Sequence, residues 1–170
     1  MNVVDVARAL DMSHANVYRH FSSKAELLDA IAEKWLHTVS DPLEKIVVEP
    51  LPASVRLEHW ILALFRAKKG KVTHDPELFA MYHQVAEGAH EVVSRHVNLL
   101  LSHLERIIRD GIASGEFPIR DATAAAHAVL NSTVRFHHPA MIGAADGSPG
   151  ESEARAVVGL LIAGLRAGAI

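Results

Sequence analysis

The sequence predicts an all-α fold, with a small N-terminal helix-turn-helix module followed by a larger helical bundle. Three observations carry that expectation. Apolar residues recur at three- and four-residue spacing along most of the chain, and no segment combines strand-like alternation with hairpin turns. Hydrophobic residues make up 49% of the chain but aromatic ones only 5%, so the core is mostly Ala, Leu, Ile and Val, which suits packed helices better than a sheet. Ser, Asp and Gly fall where such helices should start and stop.

The first helix is expected from about Val3 to Leu10, with Asn2 as N-cap, Asp5 in its first turn, and Val6, Ala7 and Leu10 on one face. After a turn at "DMS", Ser13 caps a short helix over about 14–21 that points Val17 and Phe21 inward. Ser23 and Glu26 have the spacing of a capping box and start a helix reaching about Thr38, with Leu27, Leu28, Ile31 and Trp35 along one side. The three prolines of "SDPLEKIVVEPLP" (40–52) read as a connection and place the boundary between an N-terminal module, 1–40, and a second domain, 41–170.

The second domain should open with a helix over Ala53 to Lys69, with Leu57, Trp60, Ile61, Leu64 and Phe65 as its stripe, broken at "GKVTHDP". Asp75-Pro76 starts a helical pattern that runs to about 114, bent or divided at Gly88 and closed by Gly115 in a left-handed conformation. Asp121 opens an Ala-rich helix to about His138, which Pro139 ends. The last helix, about 152–168, carries Val157, Val158, Leu160, Leu161, Ile162 and Leu165 around its axis. Such a helix needs burial on most sides, and a partner subunit is a natural second wall. Gly159, Ala163 and Gly164 would allow close helix approach there.

Bulk properties narrow the class. At 22% charged residues the chain is globular rather than disordered. It has no cysteine, which removes disulfides and thiolate metal sites and is compatible with a cytoplasmic location. The opening "MNVVDVARAL" lacks the pattern of a signal peptide, and the richest apolar run, "AVVGLLIAGL", is too short for a membrane span. With a formal net charge of −3, a nucleic-acid partner needs a local basic surface.

The stretch "SHANVYRHFSSKAELL" (13–28) supplies such a surface. Two short helices joined by a tight turn make a helix-turn-helix, whose second helix presents its N-terminal residues to base edges in the major groove. Those residues are His14, Ala15 and Asn16. Asn can pair with adenine, His can donate or accept, and Ala can touch a thymine methyl. Tyr18, Arg19 and His20 lie further along, within reach of phosphates. Lys24 sits in the first turn of the following helix, where the helix dipole disfavours a cation unless a phosphate docks there. Two capped helices with solvated side chains would satisfy the same spacing.

The window "VARALDMSHANVYRHFSSKAELL" (6–28) resembles the DNA-binding signature of the tetracycline-repressor (TetR) family of bacterial transcription regulators. Val6-Ala7, Ser13, Val17-Tyr18, His20-Phe21, Ser23-Lys24 and Leu27 stand at the matching positions. The resemblance implies phosphate contacts from Tyr18, His20 and Lys24 and base reading around 14–16. It also implies a helical regulatory domain whose last two long helices form a dimeric four-helix bundle, here those near 121–138 and 152–168. Asp11 stands where the family usually has glycine, at a cost of roughly 1 kcal/mol if that residue is left-handed. The family has a further helix ahead of the first one assigned here. The expectation is therefore that this sequence lacks that helix through a misplaced start or a clipped chain, leaving Val3, Val6, Leu10 and Phe21 partly uncovered.

The chain also has 12 histidines, many for its length. His83, Glu87 and His90 share one helical face, His96 and His103 continue it at a seven-residue interval, and His127 and His137 could approach from the next helix. Imidazole and carboxylate suit Zn, Ni or Fe, although solvated or internally bonded histidines would read the same way. The Glu-x-x-His pair is half of a di-iron bundle site, and no second pair occurs.

The sequence thus predicts a homodimeric, cytoplasmic, non-enzymatic regulator, a repressor that a small molecule releases from double-stranded operator DNA. No cofactor is required and no membrane is involved. Trp60, Phe65, Phe79, Tyr82, His83 and His127 are the expected effector lining. The alternative is a metal-binding helical protein, a metal-linked regulator or an enzyme, built on the His83, Glu87 and His90 face.

Overall fold

The structure, a computed structural model, describes residues 23–74, 90–143 and 147–169, all helix, turn or loop. The helix-turn-helix positions before residue 23, and the expected helix start at Asp75-Pro76 with its bend at Gly88, lie outside the described residues.

Helix α1 spans Lys24–Val47 and begins as its capping signal predicts, with the Glu26 N–H donating to Ser23 Oγ at 3.1 Å. It does not stop near Thr38. It runs through Pro42, across the segment read as a connection and across the proposed boundary at residue 40. Packing explains the difference. Val39, Leu43 and Val47 extend the buried stripe of Ala32, Trp35 and Leu36 by one residue per turn, while Pro42 stays on the solvent side. Burying Leu43 and Val47 gains about 1.5–3 kcal/mol each, enough to offset the ~3 kcal/mol of an interior proline.

The buried Arg56 side chain holds the end of α1. Its guanidinium donates to Val47 O at 2.5 Å and Leu51 O at 3.1 Å, and pairs with Asp110 at 3.0 Å. Helix α2, Ala53–His74, carries this arginine and is the centre of the bundle. Trp60, Ile61, Leu62, Leu64 and Phe65 are all buried, so α2 is walled in on most sides. Sequence reasoning gave that position to the last helix. Glu116 caps the start of α2: its carboxylate accepts from the Ser54 N–H at 3.3 Å and from the Ser54 hydroxyl, and pairs with Arg166 at 2.9 Å. Gly70 does not break α2. Lys69 next to it donates to Pro149 O at 2.8 Å, and Val72 packs against the core, which keeps the last turn in place.

Helix α3, His90–Ala113, lies against α1 and α2 through Val92, His96, Leu100, His103, Leu104 and Ile107. It closes as expected at Gly115, whose φ is +76°. The Phe117 N–H then donates to Gly111 O at 3.0 Å, and the Phe117 ring lies in the space a side chain on Gly111 would need.

Helix α4, Ala122–Ser132, is capped by Asp121, which accepts from the Ala124 N–H at 2.9 Å. It ends one and a half turns before the expected His138. The Thr133 hydroxyl bonds back to Val129 O at 2.9 Å, and a 3-10 turn at Val134–Phe136 drops Phe136 edge-on against Phe65, ring centroids 6.2 Å apart. Pro139 then opens a one-turn helix, α5 (Pro139–Ile142), instead of only ending one. Helix α6, Glu151–Arg166, runs antiparallel to α2, tied by Glu151 to Arg66, Arg155 to Glu58, and Arg166 to the Ser54 hydroxyl. Ala154, Val158 and Leu165 face inward, and Leu160 is 74% exposed.

Candidate functional site

A cluster of polar and aromatic side chains occupies the core where α1, α2 and α3 meet. Lys68 is 3% exposed, and its ammonium lies 4.8 Å from the centroid of the Trp35 ring. The helical stripe of α2 places it there: Leu57, Ile61 and Leu64 lead to position 68 at intervals of three and four. Burial pushes its pKa down to about 7. Sequence reasoning missed Lys68 because "RAKKGK" looks like a solvated charge run, although the stripe points at that residue.

The histidines of α3 take part in this core. His103 Nδ1 accepts from the Trp60 indole N–H at 3.4 Å, and the two rings meet edge to face. Indole only donates, so the His103 proton sits on Nε2. Burial lowers the His103 pKa, against a smaller opposite effect of Glu44. His96 is 8% exposed, and its buried Nε2 has no hydrogen-bond partner among the described residues. Burial pushes it down to about 3, reinforced by Lys68, His137, His103 and His37. His137 Nε2 donates to Leu130 O at 3.1 Å, and burial brings this group to about 4. These imidazoles are neutral at physiological pH.

A groove of about 210 Å³ opens beside the cluster. Helix α1 contributes Glu33, Leu36, His37 and Ser40, and α3 contributes Val92, Arg95, His96 and Leu99. Arg95 reaches Glu33 across it at 3.5 Å, both side chains half-exposed. Apolar walls with a few placed polar groups are the usual composition of a ligand pocket.

Three of the expected effector residues fall within the described segments. Trp60 and Phe65 are core residues of α2, whereas His127 is on the exposed side of α4. Phe79, Tyr82, His83 and Glu87 lie outside the described residues, as do the side chain of His90 and the DNA-contact positions Ser13, His14, Ala15, Asn16, Tyr18, Arg19 and His20 and the side chain of Lys24. His96 and His103, placed by spacing on the histidine face, point into the core, and the described residues contain no group of three metal-binding side chains.

A helical bundle entered by one long helix from a segment carrying the 6–28 signature is the architecture of a DNA-binding transcription regulator. Residues 53–158 match "Tetracyclin repressor-like, C-terminal domain", and residues 1–31 match "Bacterial regulatory proteins, tetR family". The chain belongs to the TetR family and is a DNA-binding transcription regulator.

Solved structures agree. The TetR family regulator PfmR from Thermus thermophilus is 26% identical, with a TM-score of 0.66 over 97% of this chain and 89% of that one. FadR from Bacillus subtilis, solved with stearoyl-CoA, is 18% identical, with a TM-score of 0.72 over 96% and 88%. A putative fatty acid metabolism regulator from Clostridium perfringens is 14% identical, with a TM-score of 0.68 over 100% and 89%. At those identities the last two speak to the fold alone. No curated protein matches the chain. Among the described residues no helix is long and apolar enough to cross a membrane.

Proposed function

We propose that this protein is a homodimeric repressor that leaves its operator when a small molecule binds in the bundle. One observation carries the coupling. The family match to the DNA-binding region ends at residue 31, inside α1, and the same helix continues to Val47 through the bundle. A ligand that moves α1 therefore moves the segment before it. The far end of α1 is clamped by Arg56, so displacement is greatest toward the N-terminal end, beside the groove. By linkage, ligand and operator then weaken each other's binding by the same factor.

The DNA contacts assigned to this reading are those of the sequence: His14, Ala15 and Asn16 at base edges, Tyr18, Arg19, His20 and Lys24 at the backbone, with Ser13 at the start of the same helix counted among the DNA-binding residues. The dimer forms through α4 and α6. Their support is the open face of α6, where Leu160 is largely exposed and a Cβ on Gly159 or Gly164 would meet nothing within 4 Å. Two recognition helices then stand about 34 Å apart over a near-palindromic site. The protein works on chromosomal DNA, hence in the cytoplasm, with no catalytic step and no resident cofactor.

Fluorescence anisotropy with DNA flanking the protein's own gene tests the reading. The expected result is site-specific binding that falls steeply with salt, and a shallower salt slope for Lys24→Ala. Equal affinity for the flanking DNA and for random duplex overturns it.

A further inference from the structure

We propose that the groove between α1 and α3 binds a small carboxylic acid with an apolar body, whose carboxylate accepts a hydrogen bond from His96 Nε2. The inference rests on the regulator reading and names the class of its effector.

The first argument is the state of His96. A buried polar nitrogen without a partner costs free energy, and native interiors rarely leave one so. His96 is more than nine-tenths buried, it forms part of the groove wall, and its Nε2 meets no acceptor or donor among the described residues. A ligand oxygen placed there makes the missing bond. The second argument is the sign of the surroundings. Lys68 acts on His96 as a nearby cation and Arg95 lines the groove, so the site favours an incoming anion over an incoming donor. Arg95 stands at the groove in exposed pairs with Glu33 and Glu91, and such pairs are weak enough to let its guanidinium turn toward an anion. A neutral imidazole donating to a carboxylate makes a charge-assisted bond, stronger than one to an uncharged acceptor.

The third argument is size and lining. Leu36, Val92 and Leu99 give the groove apolar sides, and its volume of about 210 Å³ exceeds the ~150 Å³ of an engineered cavity that holds benzene. A benzoate ring or a six-carbon chain fits that space. One wall is α1, so an occupant acts directly on the helix that leads to the DNA-binding region.

The test is calorimetric titration of the full chain with benzoate and hexanoate, and with benzamide and hexanamide as neutral counterparts. At least one acid is expected to bind, with its amide at least about tenfold weaker. His96→Leu keeps the volume and removes the polar nitrogens, so its melting temperature should hold or rise while acid affinity drops at least about tenfold. His96→Gln restores a donor and should recover part of the affinity. No binding of either acid to the wild type overturns the proposal, as does undiminished binding to His96→Leu. Equal binding of acid and amide overturns the acid class. Operator binding is read by anisotropy on the same preparation. Operator binding without acid binding removes this inference and leaves the regulator reading. His96-dependent acid binding without operator binding does the reverse.

Discussion

At the scale of single residues, the bundle stores a pH dependence. His96 and His137 are neutral because burial opposes their charged forms, with pKa values pushed down to about 3 and about 4. In the unfolded chain both return to about 6.5. Between those limits the unfolded state binds more protons than the folded one, so stability is complete above pH ~6.5 and falls as the pH drops below it. Each fully titrating group removes about 1.4 kcal/mol per pH unit in that window. Urea midpoints taken from neutral pH downward should therefore decline, and His96→Leu should flatten the decline. A second residue-level prediction concerns Gly111. An alanine there drives its methyl into the Phe117 ring and toward the Ala53 Cβ at 2.9 Å, with helix backbone behind it. Gly111→Ala should cost about 1–3 kcal/mol in urea unfolding despite better helix propensity, as overpacked cores do.

At the scale of elements, local signals were legible and their reach was not. Ser23 with Glu26, Asp121, and Gly115 each mark an end that the structure keeps, because a cap is a short-range bond between neighbours in sequence. Pro42, Gly70 and Pro139 misled for one shared reason: each is a local breaker whose effect depends on what the next turn buries. Pro42 yields to Leu43 and Val47, and Gly70 to Val72 and the Lys69 anchor, while the break in α4 occurs earlier, where Phe136 turns in against Phe65. The candidate site was half legible. Helical spacing put His96 and His103 on one face, but it could not say that this face meets α1 and α2, nor that Lys68 arrives opposite it. These conclusions have a direct check. Because Pro42 is tolerated rather than required, Pro42→Ala should stabilise the protein by about 1–3 kcal/mol and raise far-UV helicity slightly. A loss of stability would mean that the helix uses the proline to set its path.

At the scale of the whole molecule, the proposed dimer assigns the open side of α6 to its partner. A helix with an exposed Leu160 at its middle, flanked by glycines that face open space, leaves apolar area in water in the monomer. In that proposed dimer, pairing two such faces around a twofold axis would bury Leu160 against its own counterpart, and the same axis would set the spacing of the two DNA-binding modules. Leu160→Glu brings two carboxylates together at that axis. It should shift sedimentation from dimer to monomer while leaving the urea midpoint of the isolated chain little changed, since the residue is exposed there. Operator affinity should fall far more than affinity for a half-site, because the variant loses only the coupling between modules. A variant that stays dimeric removes α6 from the interface and turns attention to the exposed side of α4 around His127. A monomeric variant that still binds the full operator as tightly as the wild type would show that one module suffices, and would sever the twofold arrangement from the repressor reading.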